Sequence, residues 1–224
     1  MTDSAADLMT AIVAGDAGTV RRMVTEDPSL ASSRGEDGVS ALLQARYRND
    51  RATIDALLSA DPELDIFEAA ALGYVDRVRE RLDANRGDIG ALSPDGFTPL
   101  HLAAFFGKAD VARLLLDSGA DVTAYTRNPF ANQPLHAAAA GGHVEICRML
   151  IAAGADVDAT QHGDFAPLHE AAQHGDDEMV ELFLSAGADP TAIAGAMGTP
   201  ADVADAAGHA DVARRLRAMA VQRA

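Results

Sequence analysis

Apolar residues along this chain come in short helical bursts separated by glycine. In "TPLHLAAFFGKADVARLLLDSGAD" (98–121), Leu100, Ala103 and Ala104 form one stripe. Val111, Leu114 and Leu115 form a second, at the three- and four-residue spacing of an amphipathic helix. Gly107 and Gly119 follow the stripes, at places suited to the left-handed conformation that ends a helix. Thr98 can cap the first helix, and Pro99 suits its first position, where an N–H would have no intrahelical partner. The pattern predicts a short helix, a tight break, a second helix running back, and an outward turn from Ala120-Asp121.

The same pattern recurs. "QPLHAAAAGGHVEICRMLIAAGADVDA" (133–159) and "APLHEAAQHGDDEMVELFLSAGADPTA" (166–192) align with it, and "TPADVADAAGHADVARRLRAMA" (199–220) is a weaker copy. His101, His136, His169 and Asp202 are equivalent, at steps of 35, 33 and 33 residues. With TPLH-like, AA, G and GAD elements in register, the pattern resembles the ankyrin repeat, a β-turn followed by an antiparallel helix pair. The fold this implies is all-α, an ankyrin-repeat solenoid of about seven helix pairs with short turn or hairpin tips. Stacked units share a core that none could bury alone.

Degenerate copies continue upstream, at 38–61, 65–85 and 7–28. With Met9, Leu43 and Phe67 taken as the histidine equivalents, the steps onward to His101 are 34, 24 and 34. The 24-residue step is too short for a full tip, so "SADPELD" (59–65) reads as a hairpin-free connection. The row of tips should then have a gap between the second and third pairs. The expected organisation is one curved domain over 1–224, with degenerate units at 5–90, well-matched units at 95–193 and a capping unit at 196–224.

Composition supports helices: alanine is abundant, aromatics are 4% of the chain, and there is no tryptophan. The net charge of −16 divides into −7 over residues 1–90, −13 over 91–213 and +4 over the last eleven. That field opposes a nucleic-acid backbone, so no nucleic-acid partner is expected. No apolar run reaches the length of a membrane span, and the N-terminus carries acids where a secretory signal needs basic residues. With a single cysteine, Cys147, the expectation is a cytoplasmic monomer without membrane contact. Lys108 is the one lysine among eighteen basic residues, a bias that with the alanine content suggests a GC-rich, bacterial genome.

No motif for a reaction emerges, so neither catalytic residues nor a cofactor or metal site are expected. "HEAAQH" (169–174) superficially matches a zinc motif, but His169 and His174 lie about 140° apart around a helix. The resemblance assigns His101, His136 and His169 to bonds with nearby turn backbone. Cys147 sits in an apolar run, which makes a thiol inert. "GAMGTP" (195–200) follows no strand and has no lysine, so it is no phosphate loop.

The resemblance implies recognition of another protein by turn tips and the concave side of the first helices. The matching positions include Phe97, Phe105, Phe106, Tyr125, Phe130, Asn132, His162, Phe165, Gln173 and His174. Five of the seven phenylalanines fall at such places, where the repeat needs no core residue. Exposed aromatics suit an interface because they bury much area at little entropy cost. Phe106, a step from the stripe of its helix, is expected to be the more exposed of the Phe105/Phe106 pair. Phe97 and Phe165 have an internal alternative, stapling a turn to its own helix. The acidic background favours a partner that is basic around an apolar anchor. Two other functions are considered: a regulatory or inhibitory subunit of a neighbouring enzyme, and a small-molecule-binding enzyme on a repeat scaffold. The second requires polar groups converging in the groove, where alanine and glycine dominate.

Overall fold

A computed structural model describes residues 4–223; residues 1–3 and 224 of the expected single domain lie outside the described residues. The chain packs as two compact units, residues 1–99 and 100–224. The N-terminal unit contains α1 (Ala5–Ala14), α2 (Ala17–Glu26), α3 (Ala41–Tyr47), α4 (Arg51–Leu58), α5 (Ile66–Leu72) and α6 (Val75–Ala84). Helix α7 (Pro99–Phe105) begins at the boundary. The C-terminal unit continues with α8 (Ala109–Asp117), α9 (Pro134–Ala140), α10 (Val144–Ala152), α11 (Pro167–His174) and α12 (Asp177–Ser185). It ends with α13 (Pro200–Ala206) and α14 (Ala210–Arg223). Among the described residues there is no strand, and pairing is confined to isolated β-bridges at the tips. The fold class is all-α, as expected.

Helices this short are marginal alone, so tertiary packing holds them. In the inner pairs the first helix is largely enclosed: residues 100–104, 134–139 and 66–71 are buried apart from half-buried Phe67. Alanine is what permits this, because Ala69–Ala71 and Ala137–Ala139 let backbones approach closely. The second helices bury larger residues on one face, among them Leu115, Leu150 and Phe183.

A single bonding scheme recurs where the chain turns from a tip into a helix. The side chain at the third helical position accepts the amide of the residue capping the helix. In α1, Asp7 accepts the Ser4 amide at 3.0 Å; in α5, Glu68 accepts the Asp65 amide at 2.9 Å; in α13, Asp202 accepts the Thr199 amide at 3.0 Å. In α9 and α11 the acceptor is Nδ1 of His136, 3.3 Å from the Gln133 amide, and of His169, 3.1 Å from the Ala166 amide. Each satisfies an amide that the helix cannot. The scheme corrects the upstream alignment: the equivalents of the histidines are Asp7 and Glu68, not Met9 and Phe67. Leu43 keeps its place but cannot accept a bond.

Histidine brings a second ring nitrogen as well. With Nδ1 accepting, the proton resides on Nε2, which points onward to the next tip. His101 Nε2 donates to the Asn132 carbonyl at 3.1 Å. Nε2 of His136 and of His169 is fully buried without a hydrogen bond of normal geometry. The carbonyls of Ala159 and Phe165 act on His136, and those of Gly198 and Ala192 on His169. Burial nevertheless dominates: it pushes His101 and His136 down to about 4 and lowers His169.

Residues 59–65 join α4 to α5 without helix, bridge or hairpin, as the 24-residue step predicts. The expected gap in the row of tips is closed, however. The tip at 33–40 touches the one at 93–97, although α5 and α6 lie between them in the chain. A Cβ on Gly38 would come within 3.1 Å of the Pro94 side chain. Tyr47, at the end of α3, donates its hydroxyl to Asp95 Oδ2 at 2.5 Å, and its ring lies 6.5 Å from that of Phe97. Without an intervening tip, the two flanking ones meet.

Two outcomes follow from this packing. Gly38 has φ +78°, so Gly38→Ala combines a left-handed L-residue, costing about 1–2 kcal/mol, with a clash against Pro94. Urea unfolding should show a loss of at least about 1 kcal/mol, whereas Gly90→Ala, with nothing within 4 Å of the new Cβ, should be nearly neutral. Equal effects would refute the contact between tips. The histidines make stability pH-dependent. Their folded pKa values lie below the unfolded one, so the unfolded chain binds more protons between about pH 6.5 and 4. Their contribution is complete above about pH 6.5 and is lost on acidification, at up to about 1.4 kcal/mol per pH unit for each histidine. Glu68 and Glu170, raised mainly by burial, act in the opposite sense. The comparison is therefore with His136→Gln, whose urea midpoints between pH 7 and 5 should fall less steeply. An unchanged slope would mean that His136 titrates normally.

Candidate protein-binding surface

The ten residues implicated by the repeat pattern divide into exposed and internal sets. Phe105 is 42% exposed, Tyr125 50% and Phe130 62%, while the side chains of His162, Gln173 and His174 also face solvent. Phe106 is only half-buried, with its ring T-shaped to that of Phe105 at a centroid distance of 5.1 Å. This reverses the expected order within the pair. The apolar stripe does not decide exposure here, because 100–104 are buried all round and only the end of α7 emerges.

Three candidates are engaged inside the fold. Phe165 is 7% exposed, against the expectation of an exposed tip residue; it packs with Ala194 and Val203, its ring 5.0 Å from that of His169. Gly163 and Asp164, both at positive φ, turn the chain so that Phe165 enters the core as its carbonyl accepts the Gln161 amide at 3.0 Å. Phe97 is half-buried beside Tyr47. Asn132 is half-buried and bonded within its own loop: Oδ1 accepts the Thr126 hydroxyl at 3.1 Å, and the carbonyl takes the His101 proton. Phe165 thus meets its own helix at His169 and the next repeat at Ala194 and Val203, while the contact seen for Phe97 is with Tyr47 of α3.

In the C-terminal unit the tips form a continuous edge. The loop after α8 closes with the Thr126 amide on the Asn132 carbonyl at 2.9 Å and presents Phe130 to solvent. Asn128 Oδ1 accepts the Phe130 amide at 3.1 Å, which holds the projecting backbone. The His162 amide donates to the Phe130 carbonyl at 2.9 Å, tying this loop to the next. Gly195 of the following tip lies with a Cβ position 3.6 Å from the Gly163 carbonyl. That tip presents Ile193, 67% exposed, and Met197, 53% exposed. Sequence reasoning missed both. The available signal was two large apolar residues in a glycine-rich turn that belong to no helical stripe.

The charged surroundings are acidic. Asp121, Asp156, Asp158, Asp164 and Asp189 are exposed on or beside these turns, against one arginine, Arg127. At the inner end, His143 Nε2 donates to the Phe105 carbonyl at 3.1 Å, which fixes the end of α7 below the aromatic pair. His143 fills the space beside Gly107 and Gly141, so neither position tolerates a side chain without displacing it.

The potentially reactive groups are not arranged for chemistry. Cys147 is buried, and that burial, with Asp176 nearby, pushes its thiol up to about 12. The Tyr47 phenol is raised by burial and by its bond to Asp95. His169 is buried while His174 is exposed, so the two imidazoles of "HEAAQH" serve different environments. No helix among the described residues is long and apolar enough to cross a membrane.

Comparison with known proteins agrees with this architecture. The family model described as ankyrin repeats in three copies matches residues 124–194, and the single ankyrin repeat matches 95–127. Ankyrin repeat and SAM domain-containing protein 6 of Danio rerio is 28% identical over 124 residues, 51% of this chain and 17% of the relative. The human DNA-binding protein RFXANK is 35% identical over 99 residues, 42% of this chain and 36% of the relative. Alpha-latrocrustotoxin-Lt1a of Latrodectus tredecimguttatus is 28% identical over 113 residues, 47% of this chain and 8% of the relative. The matched part thus spans between 8% and 36% of these relatives, all three of them animal proteins. From 95 to 194, where the buried histidines and Phe105, Tyr125 and Phe130 lie, the chain is built of ankyrin repeats.

Proposed function

We propose that this chain is a non-enzymatic binding module that holds another protein against the tips and first-helix ends of its C-terminal unit. Ankyrin repeats generally serve protein–protein interaction, and one observation particular to this chain supports the reading. In a sequence with 4% aromatics, Phe105, Tyr125 and Phe130 are left exposed on the repeats of one unit, with Ile193 and Met197 extending the apolar edge. Large exposed apolar residues grouped in this way mark interaction sites more often than isolated ones do. The acids around the edge favour a partner that is basic around an apolar anchor. The same field, −13 over residues 91–213, disfavours a nucleic-acid phosphate backbone, even though one relative is named as DNA-binding. Cytoplasmic location, a monomeric state and a bacterial source complete the proposal. A regulatory or inhibitory subunit of an enzyme would use the same surface.

Exposed and buried phenylalanines separate binding from packing. Phe130→Ala should change urea-unfolding stability by about 0.5 kcal/mol or less, whereas Phe183→Ala, fully buried in α12, should cost about 3–5 kcal/mol. Partners captured by the unaltered chain and identified by mass spectrometry should be lost with Phe105→Ala/Phe130→Ala, since an interface anchor is worth about 2 kcal/mol or more. Undiminished capture by the double variant would refute this surface.

A further inference from the structure

The hairpin-free connection borders a groove in the N-terminal unit. It has a volume of about 830 Å³ and is lined by Leu58, 61–64 and 73–77. Its walls are mixed. Leu58, Pro62, Leu64 and Val75 supply apolar surface, and the ring of Tyr74 is 43% exposed beside them.

The charges lining the groove are unequally satisfied. Arg77 is the lining cation, and it is held by its own neighbours: Nε donates to the Leu64 carbonyl at 3.3 Å, and the guanidinium pairs with Glu63 at 3.3 Å and Glu80 at 3.0 Å. Asp76 pairs with Arg79 at 2.8 Å. The Asp61 carboxylate has no hydrogen-bond or ion-pair partner among the described residues. Its backbone is in the left-handed region, φ +51°, which an L-residue adopts at a cost. An exposed carboxylate without a partner among the described residues, on left-handed backbone, thus stands in a groove that also contains an exposed aromatic ring, while the one lining cation is already paired.

We propose that this groove receives a lysine side chain from an extended segment of a partner protein. The ammonium would meet the Asp61 carboxylate, and the alkyl stem would lie along the Tyr74 ring, Pro62 and Val75. An anion is disfavoured because Arg77 is occupied and Asp61, Glu63 and Asp76 surround the opening. A wholly apolar segment would leave Asp61 desolvated and unpaired, which costs free energy. The alkylammonium satisfies both features at once, through charge pairing and cation–π attraction.

The test uses the full chain labelled with ¹⁵N and two peptides of the same alternating apolar sequence, one bearing lysines and the other glutamates. The lysine peptide should shift the amides of 58–64 and 73–77, and the glutamate peptide should not. Asp61→Asn, which keeps a residue tolerant of positive φ, and Tyr74→Ala should each weaken the lysine peptide by about fivefold, the effect of losing about 1 kcal/mol. Thermal melts of both variants should match the unaltered chain because both side chains are exposed, and Phe130→Ala should bind the peptide normally. Equal binding of the two peptides, shifts confined to other residues, no shifts at all, or undiminished affinity in both variants would overturn the proposal. Since Phe130 is outside this groove, failure here and failure of the C-terminal surface are distinguishable.

Discussion

The bond between the third helical side chain and the capping amide is the contact on which the other features depend. Each tip has to deliver the chain into a helix of only a few turns, and an unpaired buried amide at that junction would cost about 1–3 kcal/mol. Aspartate, glutamate and histidine all perform the task. Histidine also has Nε2, which His101 uses to donate to the Asn132 carbonyl of the next tip, and the three buried imidazoles, His101, His136 and His169, all belong to the C-terminal unit. The acids in α1, α5 and α13 close their own helix; Asp202 also accepts a bond from Arg217 of α14, and Glu68 interacts with Ser40, the cap of α3. Degenerate repeats in this chain therefore retain the local half of the interaction but have no imidazole facing the next tip.

The N-terminal unit compensates differently. Arginines take over the role of linking successive pairs: Arg48 donates to the Val13 carbonyl at the end of α1 at 2.6 Å, and Arg46 to the Ala71 carbonyl at the end of α5 at 3.3 Å. Arg34 pairs with Asp65 at 2.9 Å, which fastens the first tip to the cap of α5. These groups are partly exposed, so each pair contributes little through charge alone. Their value lies in satisfying helix-end carbonyls. Loss of one tip lets Gly38 meet Pro94, and the hairpin-free connection borders the groove beside Tyr74.

The C-terminal unit reserves its few aromatics for two opposite uses. Phe165 and Phe183 are buried, one fixing a tip to α13 and the other filling the space beside α12. Phe105, Tyr125 and Phe130 stay at the surface, and the backbone of Phe105 and of Phe130 is itself held by side-chain bonds. A rigid support beneath an exposed ring lowers the ordering cost of using it in recognition.

Sequence alone determined what depends on spacing along the chain. The helix pairs, the hairpin-free link at 59–65, the inert Cys147 and the absence of a tip for α5 all follow from the periodicity of leucine, alanine and glycine. Register within a degenerate helix was less legible, because Glu68 can replace histidine chemically without resembling it, and the pattern pointed to Phe67 beside it. The fate of individual aromatics was decided only by tertiary structure. A repeat motif says that a position faces outward from its own helix, but not whether the neighbouring tip leaves it there. Phe165 is covered because the following turn brings Ala194 against it, whereas the next loop meets Phe130 at its carbonyl and leaves the ring 62% exposed. Phe105 emerges where α7 stops. Exposure is a property of what the next repeat brings near, which no single repeat encodes.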